Sequence, residues 1–156
     1  MRGNALIHAG CIHLTLSSGA ANVHGGGAWL CAFAAQAGDI EALGWFHARG
    51  CQWDELTPAK AAEAGQLAAL RFVHSHGCPW GALTCCAAAG AGALGVLKYA
   101  RAHECPWDKR TTAWAVGGGH LEVYHWAVQE GCHATDATRA EVNLQAQLKR
   151  YTENED

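Results

Sequence analysis

Between Gly65 and Gly77 the apolar residues Leu67, Leu70 and Val73 recur at the three-residue spacing of one helix face, with Ala69 and Phe72 beside them. Gly77 then offers an easy left-handed stop. Upstream, Thr57 is placed to cap a helix, Pro58 suits its first turn, and Gly65 ends an Ala-rich segment after about two turns. The stretch 51–77 therefore predicts helix, turn, helix. A reversing loop follows each such unit, clearest at Cys105-Pro106-Trp107-Asp108, where proline removes a backbone donor and restricts the residue before it.

The same pattern returns along the chain. Cys51, Cys78, Cys105 and Cys132 are each 27 residues apart, and Trp53, Trp80 and Trp107 follow two places later. Thr57, Thr84, Thr111 and Thr138 keep the period, as do Gly65, Gly92 and Gly119 with Leu67, Leu94 and Leu121 two residues on. Gly38 and Ile40 occupy those last two columns one period earlier, and Trp45, Phe72, Tyr99 and Trp126 form an aromatic column. So many columns at one period mark an internal repeat. Three full copies run 51–77, 78–104 and 105–131, and a fourth, 24–50, lacks the opening Cys and Trp. Residues 1–23 read as an eroded N-terminal copy or cap, 132–151 as a C-terminal capping helix, and 152–156 as an acidic tail. Two short helices cannot bury their apolar faces alone, so the copies must stack on one another. The expected fold is an all-α, helix-turn-helix repeat solenoid with almost no strand. At its C-terminal end Ala146 replaces the periodic glycine, while Val142, Leu144 and Leu148 alternate with polar residues. A helix from about Thr138 to Tyr151 is expected there, its apolar residues packed on the third full copy.

Composition supports a packed domain: 156 residues, 50% of them hydrophobic, are enough for a core. The formal charge of −3, with 11 Lys and Arg spread thinly, provides no basic stripe for nucleic acid. No apolar run approaches the roughly 20 residues that span a bilayer. The best stretch, Ala5 to Leu16, is broken by His8 and His13. A soluble, unsecreted protein is expected.

Eight cysteines are sparse for a disulfide framework in a chain of this length. Zinc needs four converging ligands, usually supplied as two close pairs, and His74-Ser75-His76-Gly77-Cys78 contains no such pair. Stacked helix layers lie about 8–10 Å apart, so the periodic cysteines form a ladder too widely spaced for one metal or for disulfides. No metal or other cofactor is expected, and Cys85-Cys86 reads as small apolar filling. His47, His74 and Arg101 fall in one column and Arg49, His76 and His103 in another, both in the last turn of a second helix. There a positive charge meets the negative end of the helix dipole. With no nucleophile, carboxylate pair or phosphate-cradling loop beside them, no catalytic residue is assigned.

Residues that recur in every copy usually serve stacking, so Trp53, Trp80 and Trp107 read as covers over the junctions between copies, not as partner anchors. Gly65, Gly92 and Gly119 read as structural punctuation, and Leu67, Leu70, Leu94, Leu97, Leu121 and Val123 as core. Function is sought where copies differ. The loop after the Trp column reads Asp54-Glu55, Gly81-Ala82 and Asp108-Lys109-Arg110, and one first-helix column reads Phe33, Lys60, Ala87 and Trp114. Candidate partner-binding residues are Asp54, Glu55, Lys60, Asp108, Lys109, Arg110 and Trp114. The competing interpretation makes them unselected solvent positions or, for Phe33 and Trp114, core.

Thr57-Pro58 followed by Ala61-Ala62-Glu63-Ala64-Gly65 resembles the first helix of the ankyrin repeat family, and Gly119-His120-Leu121-Glu122-Val123 resembles the start of its second. Gly19-Ala20-Ala21-Asn22-Val23 is similar to the phrase that closes an ordinary repeat, and the resemblance extends over about residues 11–151. An ordinary ankyrin repeat has about 33 residues, and the residues missing here fall in the β-hairpin finger. Anchored on Ala61, Ala62 and Gly65, the threonine falls one place late and the first-helix histidine is absent, so the family's Thr–His hydrogen bond is not carried over. The short form with a Cys-Pro-Trp loop resembles divergent repeats of large families in big DNA viruses and some single-celled eukaryotes. The resemblance implies a monomeric, non-enzymatic scaffold that binds an unidentified protein on the face carrying the inner helices and finger tips. It places that scaffold inside the cell, in the cytoplasm, or the host cytoplasm for a viral source. The alternatives are a zinc- or cysteine-dependent enzyme and an eroded family member with little remaining function.

Overall fold

The computed structural model describes residues 27–153, so the expected eroded copy at 1–23 and most of the tail at 152–156 lie outside the described residues. The helices are α1 (Gly27–Ala37), α2 (Ile40–Ala48), α3 (Leu56–Glu63), α4 (Leu67–Ser75), α5 (Ala82–Gly90), α6 (Leu94–Ala102), α7 (Lys109–Gly117), α8 (Leu121–Gln129) and α9 (Asp136–Glu153). Among the described residues there is no strand, and no helix is long and apolar enough to cross a membrane.

Each odd helix contacts the even helix that follows it in the same copy, and each packs on its neighbours in the row α1, α3, α5, α7. The even helices α2, α4 and α6 likewise touch in sequence. The two rows are built from different side chains. The odd helices meet through small residues, and Ala35, Ala61, Ala62, Ala88, Ala89 and Ala115 are each 0% exposed, which lets the helix axes approach closely. The even helices drive in large ones: Leu43, Leu70 and Leu97 occupy the same column and are also fully buried. Burying one such leucine contributes about 1.5–3 kcal/mol. Tyr124 takes that column in 105–131. Val123 is buried as expected, whereas Leu67, Leu94 and Leu121 are half-buried and border the core.

The glycine stops act as their spacing predicts. At the end of α3, Gly65 N–H donates to Ala62 O at 3.1 Å and Gln66 N–H to Ala61 O at 2.8 Å, the paired bonds of a Schellman cap. Gly65 has φ of 69°, and Gly77, after α4, has 78°. The equivalent residue after α6 is Glu104, which adopts φ of 60° without being glycine.

Two expectations need correction. Thr57 does not cap α3: the helix begins at Leu56, which places the threonine inside its first turn. Thr57 and Thr84 are buried, and among the described residues neither hydroxyl has a hydrogen-bond partner. The capping is done by the loop aspartates. Asp54 Oδ1 accepts from Leu56 N–H at 3.0 Å, and Asp108 Oδ1 accepts from Arg110 N–H at 2.8 Å. The second correction concerns α9, which is longer than expected and contacts α7, the first helix of its neighbouring copy. Thr138 and Val142 are buried, but Leu144 and Leu148 are 55% and 57% exposed, so the apolar residues of its second half do not pack on the third full copy.

Candidate functional site

The odd-helix row leaves one side open. A depression of about 520 Å³ lies across α3, α5 and α7, and no even helix contributes to its lining. Leu56, Lys60 and Glu63 come from α3, Leu83, Ala87 and Gly90 from α5, and Trp114 from α7. The helical period produces this, because positions four and then three residues apart fall on one face. Packing of α3 on α5 and of α5 on α7 then places the three equivalent sets side by side.

Size differences between copies shape the floor. Ala87 and Gly90 are small where α3 carries Lys60 and Glu63, and the Trp114 ring leans over the gap. A Cβ built on Gly90 would come within 3.3 Å of Trp114 Cε3, so Gly90 makes room for the indole. At the rim, Lys60 Nζ lies 2.6 Å from Glu63 Oε2, which leaves little net charge on that side. Further along the row Trp29 and Phe33 meet edge-on, with ring centroids 5.8 Å apart. Trp29, Phe33, Leu56 and Trp114 are all exposed, at 52%, 57%, 40% and 45%.

Of the sequence candidates, the depression brings together Lys60 and Trp114. Asp54 and Glu55 precede α3, while Asp108, Lys109 and Arg110 bracket the start of α7. Asp108 is also tied to Arg110, whose Nη2 stands 2.8 Å from its Oδ2, and this partner holds the Asp108 carboxyl below its ordinary value. Leu56, Leu83, Glu63, Gly90 and Trp29 escaped the sequence reading. The signal for Trp29, Leu56 and Leu83 was a column in which these three stay apolar while Arg110 does not.

At the C-terminal ends of the even helices, rings stack against the following loop. His47 lies on Trp53 with centroids 4.1 Å apart, and His74 lies on Trp80 at 3.9 Å. In 78–104 Arg101 takes the same place, 4.2 Å over Trp107. Each contact joins the last turn of an even helix to the loop that follows it. His74 Nδ1 also lies 3.2 Å from the Tyr99 hydroxyl. Burial first, and the nearby His103 second, push His74 below the ordinary histidine value.

The cysteines offer little chemistry. Burial raises the Cys31 and Cys78 thiols to about 12 and Cys132 to about 11. Such thiols are protonated near neutral pH and are poor nucleophiles and ligands. Among the described residues no group of three or more His, Cys, Asp or Glu side chains is placed to hold a metal ion.

Fold and site together define an all-helical protein with helix-on-neighbour packing and an open apolar face. Among known proteins, no family model and no curated protein matches the chain.

Proposed function

We propose that this chain is a protein-binding scaffold of short ankyrin-like repeats, stacked as a solenoid, that holds an apolar segment of a partner protein against the open face of its odd helices. The observation that carries this reading is the depression over Ala87 and Gly90, flanked by exposed Leu56 and Trp114. Contiguous exposed apolar surface is uncommon on isolated domains and marks contact sites. Tryptophan is enriched among the few residues that carry most of an interface's binding energy. The paired Lys60 and Glu63 leave no strong charge at the floor, which favours an apolar segment over a phosphate or nucleic acid. Asp54, Glu55, Asp108, Lys109 and Arg110 form the polar margin at the helix N-termini. No catalytic step is assigned.

Affinity capture with the full chain as bait, followed by mass spectrometry, tests this when three baits are compared. Proteins retained by the wild type should be lost with Trp114→Asp and kept with Glu122→Lys, an exposed change on α8. A retained set that Trp114→Asp leaves unaltered would contradict the open face as the binding surface.

A further inference from the structure

Helix α9 carries two faces. One holds Thr138 and Val142, both buried, with Gln145 half-buried beside them, on the side where the helix meets α7. The other is an exposed apolar seam of Ala137, Ala140, Leu144, Leu148 and Tyr151, the last of them 73% exposed. These residues are spaced three, four, four and three apart, the step that joins two packed helices. At 3.6 residues per turn they fall within about 80° of arc, centred about 140° around the helix from Thr138 and Val142. The seam thus faces away from α7.

Side-chain size changes along it. Ala137 and Ala140 are small, Leu148 and Tyr151 are large, and Leu144 lies midway. Turned end for end, the seam fits itself: Tyr151 meets Ala137, Leu148 meets Ala140, and Leu144 meets its own counterpart. Pairing in the same direction would set alanine on alanine and tyrosine on tyrosine, leaving a gap at one end and crowding at the other. Charge selects the same arrangement. Asp136 and Arg150, both exposed, flank one side of the seam, so antiparallel pairing brings each Asp136 near the Arg150 of the other copy. Asp136 also holds Arg139 at 3.3 Å, and a carboxylate can accept from two cations at once. Parallel pairing would instead set Asp136 beside Glu141, a like-charge contact.

We propose that the exposed seam of α9 is a self-association surface, through which two copies of this chain pair antiparallel as a two-fold symmetric dimer. The contact is isologous, each seam covering the other, so assembly closes at two copies. One pair of four-turn helices is a small interface, and the dimer therefore dissociates on dilution. This departs from the monomer that the family resemblance implies. The open face of α3, α5 and α7 takes no part in the pairing, so a dimer would present two such faces, and the pairing stands or falls separately from the binding role.

Sedimentation equilibrium of the full chain under reducing conditions, over a wide concentration series, tests this, with circular dichroism confirming that each variant keeps its helices. The wild type should pass from monomer to dimer as concentration rises. Leu144→Asp, at the centre of the seam, should stay monomeric throughout, whereas Ala146→Glu, exposed on the far side of α9, should dimerise as the wild type does. Arg150→Glu should weaken the dimer by roughly two- to fivefold for each ion pair lost, and adding Asp136→Arg in the same chain should restore it. That rescue distinguishes antiparallel pairing from any other contact of α9. Trp114→Asp should leave the dimer intact. A wild type that is monomeric at every concentration, assembly beyond two copies, a Leu144→Asp chain that still dimerises, or no rescue by the double charge reversal would overturn the proposal. Loss of the dimer with Trp114→Asp would also overturn it, because the seam would then be seated in the open face of the other copy.

Discussion

Glu104 offers a test of the repeat geometry at a single residue. It stands where the other described copies have Gly50, Gly77 and Gly131, and its φ of 60° lies in the left-handed region those glycines occupy. An L-residue there costs roughly 1–2 kcal/mol. Glycine avoids this but loses more backbone entropy on folding, which returns about 0.5–1 kcal/mol to the unfolded chain. The side chain of Glu104 is exposed, so little packing is lost on removing it. Glu104→Gly should therefore stabilise the protein by about 0.5–1 kcal/mol, a rise in Tm of roughly 1–4 °C for a domain of this size. The reverse change provides the control. A Cβ on Gly77 meets no atom within 4 Å, so Gly77→Ala isolates the backbone strain and should cost about 1 kcal/mol. Urea and thermal unfolding followed by circular dichroism measure both. A Glu104→Gly variant that is less stable than the wild type, or a Gly77→Ala variant that loses nothing, would refute the assignment of this column as a left-handed cap.

Thr84→Val removes a buried hydroxyl that has no partner among the described residues and should leave stability equal or raise it by up to about 1 kcal/mol. Thr112→Val breaks the bonds to Lys109 O and His133 O and should cost about 1 kcal/mol, so equal losses in urea unfolding would contradict the contrast. His74 is held neutral in the fold against Trp80, the Tyr99 hydroxyl and His103, with its proton affinity below the ordinary value of 6.5. The unfolded chain thus takes up the proton first. The stability this confers is complete above about pH 6.5 and is lost as pH falls below it. His74→Gln should flatten the decline between pH 7 and 5, and an unchanged profile would count against it. Truncation after Ala137 uncovers the α7 face beneath Thr138 and Val142 and should lower Tm and cause self-association visible by light scattering. Truncation after Asn143 removes only α9 residues that bury little and should cost far less; equal effects of the two would refute the packing described for α9.

The helices were legible because each is written between punctuation marks that repeat, and comparing columns separated Leu70 and Leu97 from their polar neighbours. Thr57 was misjudged as a cap because a threonine just before proline suits a helix start, whereas the aspartate three residues earlier does the capping and carries the start of α3 back to Leu56. The exposed end of α9 was misread because Leu144 and Leu148 keep helical spacing whether or not anything covers them. Reading by columns hides contacts between columns: the stacks of His47 on Trp53 and His74 on Trp80 join residues six apart across a loop. The Cys85 thiol reaches the Cys105 carbonyl 20 residues on, a separation the 27-residue period does not display. At the open face, Lys60 and Trp114 were found because they vary. Leu56 and Leu83 were not, since an apolar residue on an Ala-rich helix reads as core until the stacking shows which side is uncovered.

Hydrogen exchange of the chain with and without a captured partner tests the binding role most directly. The account predicts that protection on binding concentrates in 56–63, 82–90 and 109–117, the helices beneath the open face, and that Trp114→Asp abolishes it. Protection confined to 67–75 and 94–102, on the even helices, would contradict it.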